Sequence, residues 1–308
     1  MKVWERRRMS YLDLYTSSSI IYGGLQRSFE EAEFVLVGVP FDVTSSFRPG
    51  SRFAPLAIRE ASLNIESYSF RAGVDLADVR IHDAGDLHVA GDVNETLKRL
   101  ELVVRDIING GKTPVLIGGE HTLSLGAVKG IQKDLAVLCF DAHMDLRSEY
   151  MDQPICHATV MRRISEIVDP RNIVEIGTRA ACKEELEHAE NHGITYFAAH
   201  QMLGTQTEEI VNQVNSFLER FNQLYVTIDM DVLDPAFAPA VQNPEPEGLS
   251  LTMLLEILHK TCGKKVVGFD VVEVAPHYDE GNTAIQAAKL ISELLCYIHG
   301  DKHEKERS

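Results

Sequence analysis

The chain has 308 residues, of which 44% are hydrophobic and 25% are charged, and its formal net charge at pH 7 is −16. This length suits one large α/β domain, and the apolar content is sufficient for a sizeable core. The negative field disfavours binding to nucleic acid or to anionic membrane surfaces, and it favours metal cations and cationic small molecules.

The absence of recognisable targeting signals and the spacing of the cysteines indicate the cellular compartment of the protein. No apolar run approaches the roughly 18 residues of a membrane span, and the N-terminal segment lacks the apolar core of a signal peptide. The five cysteines, an odd number without CxxC spacing, argue against a disulfide framework and a zinc ribbon. We therefore expect a cytoplasmic protein without a membrane partner.

Short apolar runs alternate with amphipathic segments along the chain. The predicted strands cover 34–40, 113–119, 135–140, 172–179, 223–229 and 265–276. The predicted helices, with apolar residues on one face, cover 94–111, 207–221, 251–263 and 282–298. Strands of nearly continuous apolar residues alternating with helices are typical of a parallel sheet covered on both faces. We predict one doubly wound α/β domain over residues 1–308, with an N-terminal extension at 1–30 and a polar tail at about 299–308.

Four predicted strands end in acidic or imidazole side chains. In open α/β sheets, ligands bind beyond the carboxyl ends of the strands, so these side chains are expected at one rim. The residues concerned, strand by strand, are Glu120 and His121; Asp141, His143 and Asp145; Asp229, Asp231 and Asp234; and Glu273.

The composition of this rim predicts a metal site. Clustered carboxylates repel one another, and a divalent cation relieves that repulsion. Many oxygens with a minority of imidazole and no thiolate favour manganese, magnesium or iron over zinc. Alternate residues of an extended segment share a face, so Asp141, His143 and Asp145 point to the same side. A lone Asp-x-Asp is usually a solvated turn or a helix cap, but these motifs together supply enough ligands for two metal ions with bridging carboxylates.

Four ordered motifs resemble the signatures of the ureohydrolase family, which includes arginase, agmatinase and formimidoylglutamase. These are GGEHTLSLG (118–126), FDAHMDL (140–146), IDMDVLDPAFAP (228–239) and GFDVVEVAP (268–276). The resemblance extends to GVPFD (38–42), RPGSRFAPLAIREAS (48–62) and DAGD (83–86), and so covers nearly the whole chain. The segment CHATVMRR (156–163) is similar to its counterpart in prokaryotic and archaeal-type agmatinases.

This resemblance implies a three-layer α/β/α fold around a parallel eight-stranded sheet, two manganese ions per chain, and a homo-oligomer that is a trimer or a hexamer. It implies Glu273 as the partner of a substrate guanidinium, His157 as a proton carrier, and Asp145 as a ligand that also orients the nucleophile. The implied ligands of one ion are His121, Asp141, Asp145 and Asp229, and those of the other are His143, Asp141, Asp229 and Asp231.

The implied reaction is hydrolysis of a linear guanidino compound to urea and an amine, foremost agmatine to putrescine and urea. The segment after Asp145 lacks the Ser-Gly-Asn stretch of arginase, which argues against an α-amino acid head group. Arg147 resembles its counterpart in formimidoylglutamases, and Asn243 replaces a family threonine, which leaves the tail of the substrate open. Aminopropyl-agmatine, guanidinobutyrate, arginine and formimidoylglutamate remain alternatives, as do a non-catalytic metal-stabilised member and a metal-dependent deacylase.

Other side chains are candidates for weaker reasons. His188 and His192 have the i, i+4 spacing of a helical metal pair but lie in a strongly charged helix without a catalytic glutamate between them. We expect Arg48 and Arg52 to pack rather than to bind substrate. Cys139 and Cys156 lie near the site in sequence without an assignable role, and 278–280 either rims the pocket or forms a loop.

Overall fold

Nine strands form one sheet in the computed structural model, which describes residues 10–131, 135–263 and 265–307. The strands are β1 (Thr16–Ser17), β2 (Phe34–Gly38), β3 (Tyr68–Ser69), β4 (Val74–Asp75), β5 (Ile81–Leu87), β6 (Thr113–Ile117), β7 (Leu135–Phe140), β8 (Ile173–Thr178), β9 (Thr195–Ala198), β10 (Gln223–Asp229) and β11 (Val266–Val272). Their order in the sheet is β1-β5-β2-β6-β11-β10-β7-β8-β9, and β3 and β4 form a separate hairpin. All neighbours are parallel except β1 and β5, so the predicted parallel sheet of eight strands is confirmed, with one short antiparallel strand added.

Helices cover both faces of this sheet. They are α1 (Tyr11–Tyr15), α2 (Ala54–Ser62), α3 (Val93–Asn109), α4 (Leu123–Ile131), α5 (Val160–Ser165), α6 (Lys183–His192), α7 (Ala199–Met202), α8 (Thr207–Leu218), α9 (Leu251–Thr261) and α10 (Asn282–Arg307). One apolar core joins the sheet to α2, α8, α9 and α10, and a second joins its other face to α1, α3, α4, α5 and α6. The predicted three-layer α/β/α arrangement is therefore confirmed. Among the described residues, no helix is both long and apolar enough to cross a membrane.

The central strands are apolar throughout because both of their faces are buried. All six residues of β7 are buried, and their side chains alternate between the two cores. The amphipathic helices follow their predicted faces, as α3 shows. Its N-cap, Asp92, accepts a hydrogen bond of 2.8 Å from the Glu95 amide, and Gly111 follows its end with φ +72°.

Several elements escaped the sequence analysis, and two of them show the physical reason. Strand β5 alternates buried and half-buried positions, including His82 and Asp83, and so lacks the continuous apolar run of its neighbours. Helix α4 is buried almost all round, so no polar face marks it. It packs closely on α3, because a Cβ on Gly130 would lie 2.7 Å from Val104 Cβ.

Both ends of the chain contain regular secondary structure. Of the predicted N-terminal extension, residues 1–9 lie outside the described residues, and α1 and β1 follow from residue 11. The polar residues from about 299 continue helix α10 as far as Arg307. All five cysteines are free thiols.

A buried ion pair explains two of the quoted segments. The fully buried Arg59 of α2 donates hydrogen bonds of 2.9 Å to both carboxylate oxygens of Asp83 and one of 2.6 Å to Asp86, both in β5. Because these bonds are charge-assisted and largely shielded from water, they fix α2 against the sheet. The segments 48–62 and 83–86 thus meet in space and support the fold.

Candidate active site

The acidic side chains meet where four central strands end. Strands β6, β11, β10 and β7 are adjacent in the sheet, and their carboxyl ends point the same way. The structure thus brings together residues that are up to 152 positions apart in the chain, such as His121 and Glu273. This is the rim that the sequence predicts.

His121 lies at the centre of three carboxylates and is fully buried. Its Nδ1 is 3.0 Å from Asp141 Oδ2, 3.1 Å from Asp145 Oδ2 and 3.6 Å from Asp229 Oδ2. These four residues are the ones that the family resemblance assigns to the first metal ion.

His143 forms a second group with Asp141 and Asp231. Its Nδ1 is 2.9 Å from Asp231 Oδ2 and 3.6 Å from Asp141 Oδ1. Asp141 therefore directs one oxygen to each histidine, which is the arrangement expected of a bridging ligand. Asp229 accepts a hydrogen bond of 2.8 Å from the Asp231 amide through Oδ1 and faces His121 through Oδ2.

The far nitrogen of His121 is held by a hydrogen-bond chain that the sequence analysis missed. Its Nε2 lies 3.0 Å from the Thr227 hydroxyl, which donates a bond of 2.6 Å to Asp270 Oδ1. Since Thr227 gives its only proton to Asp270, it accepts one from His121 Nε2, and in the neutral imidazole Nδ1 has its lone pair toward the carboxylates. Ser124 and Tyr225 also donate to Asp270. The sequence feature that could have indicated this chain is the presence of polar Thr227 and Asp270 inside the otherwise apolar strands β10 and β11.

Charge repulsion dominates this cluster. Burial and the neighbouring charges of Asp231 and Asp141 raise the pKa of Asp229 well above its usual range. Burial and the Asp141 charge raise the pKa of Asp145 to about 7. Burial opposes protonation of His121, but its contacts with Asp141 and Asp145 outweigh this and raise its pKa. Without a cation, the cluster therefore holds excess protons at neutral pH.

The donor atoms fit divalent cations. Asp141 Oδ2 is buried without a hydrogen-bond partner, and when the imidazole is neutral it faces the lone pair of His121 Nδ1. Two such groups attract a cation rather than each other. The oxygen-rich set with two imidazoles suits manganese-class ions, and Cys139, whose donor atom lies within 4.8 Å of those of His121 and Asp141, has its thiol pKa raised by burial.

Two site residues have strained backbones. Asp145 has φ +51° and Glu273 has φ +69°, in the left-handed region that costs an L-residue on the order of 1–2 kcal/mol. The conformation of Glu273 lets its Oε1 accept a bond of 2.6 Å from the His121 amide. Its Oε2 is buried without a partner, and burial raises the pKa of this carboxyl. Glu273 thus presents one free oxygen to a cationic group in the site.

His157 lies across the site on a short 3₁₀ turn, His157–Thr159. Its Nε2 is 3.1 Å from the Ser46 hydroxyl, and its amide donates a bond of 3.2 Å to Thr44 Oγ1. Thr44 is held in turn by Glu120, which accepts its amide and hydroxyl protons. Burial and the nearby His143 lower the pKa of His157 to about 4. Glu120 therefore supports the position of His157 and lies outside the two histidine groups.

These residues line a cavity of about 480 Å³. Its inner lining includes His143, Asp145, His157, Asp229, Asp231 and Glu273, whereas His121 and Asp141 are fully buried behind them. The rest of the lining, which is mostly half-buried and is called the outer lining, includes Arg147, Tyr150, Arg179, Asn243 and Glu245 and the buried Glu185. A volume of this size suits a small molecule.

The outer residues hold both signs of charge. Arg147 lies 3.8 Å from Glu185 and 5.2 Å from the centre of the Tyr150 ring, so its charge is partly neutralised. Asn243, the replacement for the family threonine, lies in the lining, and the preceding Gln242 donates to Ser51 and contacts Glu273 through its backbone.

The weaker candidates have other contacts. Arg48 packs on the rings of Phe47 and Tyr278, and Arg52 pairs with Asp42. Asp234 accepts hydrogen bonds from the amides of Ala236 and Gly248. Asp279 accepts hydrogen bonds from the amides of Gly281 and Thr283 at the start of α10. The centres of the His188 and His192 rings are 4.0 Å apart with the rings tilted by 33°, and among the described residues these histidines are not part of a three-residue metal-binding group. Cys156 is buried beside the Gln153 carbonyl.

Comparisons with known proteins agree with this geometry. The model of the Arginase family matches residues 32–296. The chain is 39% identical to the agmatinase of Bacillus subtilis (strain 168), over 87% of this chain and 92% of that protein. It is also 39% identical to the N(1)-aminopropylagmatine ureohydrolase of Thermococcus kodakarensis, over 85% and 89%. The structure of the agmatine ureohydrolase of Thermoplasma volcanium superposes with a TM-score of 0.88 at 36% identity, covering 95% of this chain and 98% of that one.

Proposed function

Since the chain belongs to the Arginase family and is a hydrolase of the C–N bonds of guanidino compounds, we propose that it converts agmatine to putrescine and urea with two manganese ions. The observation that carries the proposal is the position of Asp141, whose two oxygens face His121 and His143 beside the unpartnered oxygen of Glu273. Metal donors and a partner for a cation thus share one cavity.

Six side chains would hold the two ions. His121 and Asp145 would hold one ion, His143 and Asp231 would hold the other, and Asp141 and Asp229 would contribute to both. Two bound divalent ions supply a nucleophile made from water at neutral pH and neutralise the carboxylates. The hydrogen bond from His121 Nε2 to Thr227 keeps the Nδ1 lone pair toward the metal position.

Glu273 positions the substrate. Its free oxygen accepts hydrogen bonds from the planar guanidinium group, and the bond from the His121 amide keeps the carboxylate in place. A fixed partner for the cation turns the guanidinium carbon toward the nucleophile and so lowers the entropic barrier. Asp145, held in a left-handed backbone, accepts a hydrogen bond from the attacking water and orients it.

His157 carries a proton to the leaving amine. Its pKa of about 4 means that it is neutral at pH 7, so it cannot begin the reaction as the acid. It first takes up a proton released from water and then donates it to the amine nitrogen as the C–N bond breaks. The Ser46 hydroxyl, 3.1 Å from Nε2, is the first step of a path to solvent.

The outer cavity supports a linear cationic tail. Glu185 and Glu245 line it, and Glu185 offsets the charge of Arg147. The whole-chain charge of −16 also favours a dication over a zwitterion. An anionic tail such as that of guanidinobutyrate or formimidoylglutamate would meet Glu185 and Glu245, although Arg147 and Arg179 also line the cavity.

A substrate panel tests the proposal. Manganese-loaded protein is incubated with agmatine, aminopropyl-agmatine, guanidinobutyrate and arginine, and urea is measured; formimidoylglutamate is assayed for formamide. Agmatine is expected to give the highest kcat/KM, and removal of metal by a chelator is expected to abolish the activity until manganese is restored. A higher kcat/KM for another compound would replace agmatine as the substrate.

A matched variant separates this activity from contaminants. Glu273→Gln keeps every metal donor but replaces the carboxylate with a neutral amide. We expect it to bind manganese normally and to lose at least about 100-fold in kcat/KM, because a charged partner of the guanidinium is lost. Unchanged kcat/KM would remove Glu273 from substrate binding.

We further expect a cytoplasmic homo-oligomer, a trimer or a hexamer, as the family resemblance implies. Light scattering of the manganese-loaded protein measures the mass against the 34.4 kDa of one chain. A monomer at micromolar concentration would overturn this expectation.

A further inference from the structure

A second cluster of metal-binding side chains lies at the opposite end of the sheet. Glu33 directly precedes β2, whereas the candidate active site lies beyond the carboxyl ends of the strands. His299 and His303 stand one turn apart on α10. His299 Nδ1 is 2.7 Å from Glu33 Oε2, and His303 Nε2 is 2.6 Å from Glu33 Oε1.

The geometry points to one site for a single ion. One donor atom of each of the three residues lies within 4.8 Å of the others, and the two imidazole rings are 4.5 Å apart at an angle of 42°. Histidines at i, i+4 present their nitrogens to the same side of a helix. The carboxylate comes from a different element, so an ion bound here would join α10 to the start of β2.

Burial preorganises this group. His299 is 7% exposed, and the side chains of Glu33 and His303 are 12% and 23% exposed. Their rotamers are thus largely fixed before binding, while the partial opening at His303 leaves access for an ion and a water ligand.

We propose that Glu33, His299 and His303 bind a divalent transition ion of the zinc class. Two imidazoles and one glutamate are a donor set that zinc accepts with water in the fourth position. The set has a larger share of nitrogen than the candidate active site, so it favours zinc over manganese. The role of the ion is structural, since the site lies away from the cavity and ties the last helix to the sheet.

Protons compete for the same atoms. In the absence of metal, each imidazole donates one N–H to a Glu33 oxygen, and zinc must displace both protons. Arg80 also pairs with Glu33 Oε1 at 2.7 Å, and Lys302 bonds to Thr113 nearby. These two cations weaken metal binding, but Arg80 is half exposed and can turn to solvent when the ion enters.

Zinc counting tests the site on the full chain. Wild-type protein and the variants His303→Ala and Glu33→Gln are loaded with manganese, equilibrated with zinc chloride, desalted and analysed for metal content. Wild type is expected to retain one more zinc ion per chain than either variant. Any exchange of zinc into the active site is common to all of the proteins and cancels in the difference. His200→Ala, which removes an exposed histidine elsewhere, is expected to match wild type.

Thermal unfolding supplies a second readout. Zinc is expected to raise the Tm of wild type by a few degrees more than that of His303→Ala, because the ion binds only the folded state. Retained manganese-dependent urea formation shows that the variants are folded, and His303→Gln replaces His303→Ala if the latter is not. Equal zinc content in wild type and in the variants would overturn the site and show that only protons occupy it.

Discussion

Single side chains behind the metal donors decide how the donors are presented. His121 has both nitrogens in use, with Nδ1 toward three carboxylates and Nε2 toward Thr227. Thr227 has no contact with the cavity, yet it determines which nitrogen carries the proton. The orientation of the His121 imidazole thus depends on the hydroxyl of Thr227, which lies inside strand β10.

Replacement of Thr227 by valine removes that hydroxyl at nearly constant volume. The His121 Nε2 proton then has no acceptor, and we expect manganese affinity to fall about 10- to 100-fold. Titration of metal-free protein with manganese, followed by urea formation, measures this. Thr227→Ser keeps the hydroxyl and should restore most of the affinity, whereas equal affinity in Thr227→Val and wild type would contradict the role of this bond.

The residues of the site could be predicted from sequence to different extents. Asp141, His143 and Asp145 were recognisable because they follow an apolar strand at alternating positions. Thr227 and Asp270 were not assigned, since a polar residue inside a strand says nothing of its partner until the register is known. Thr227 lies in β10 and Asp270 in β11, and the pairing of these two strands places the residues opposite each other.

At the scale of elements, α2 and β5 show how a buried charge can support the fold. Arg59 is fully buried together with Asp83 and also pairs with Asp86, so water cannot replace these partners if the pairing is lost. Sequence analysis found both segments but could not pair them, because β5 lacks a continuous apolar run.

Arg59→Ala should lower the free energy of unfolding by about 3–5 kcal/mol, because it leaves Asp83 buried without its partner. Urea denaturation of the metal-free protein measures this. Arg171→Ala, which breaks the exposed pair with Asp169, is the matched control and should leave stability nearly unchanged. Similar losses in the two variants would contradict the distinction between a buried and an exposed pair.

Helix α6 makes stability depend on pH. Burial, followed by the charges of Arg162 and His192, lowers the pKa of His188 to about 4, although Glu184 acts the other way and Arg163 adds to the effect. Above a pH of about 6.5 the residue is neutral in both states. As the pH falls toward 4, the unfolded state binds a proton that the folded state does not, so stability falls.

His188→Leu should remove this loss. We expect it to reduce the decline in unfolding free energy between about pH 6.5 and about pH 4 by roughly 1–2 kcal/mol relative to wild type. Denaturation curves across that range, with the exposed variant His200→Gln as the control, measure the difference. An unchanged pH profile would show that His188 is already charged in the folded protein.

The whole molecule combines an acidic field with a cavity at one end of the sheet. Its net charge of −16 attracts cations, and the ionic strength of the solution sets the distance over which this attraction acts. The class of fold and its parallel sheet followed from sequence because periodicity and strand ends are properties of whole segments. The i, i+4 histidines considered from sequence were His188 and His192. His299 and His303 instead contact the carboxylate of Glu33, which their positions in the sequence do not indicate.

Salt dependence tests the acidic field. Raising the salt concentration from about 20 mM to about 200 mM screens the long-range attraction, so the KM for agmatine should rise several-fold. A guanidino compound with an uncharged tail is the control, and its KM should rise less. The same change for both compounds would show that the field does not select the charge of the tail.

The distribution of the metal donors over the chain has a consequence for how the protein folds. The donors follow β6, β7 and β10, so they span residues 121 to 231 and converge only after distant strands pair. Pairing across such separations is slow, and we therefore expect a refolding chain to bind metal late. We expect manganese uptake during refolding to lag behind the formation of helices, and bound metal to slow the separation of the central strands once they have met.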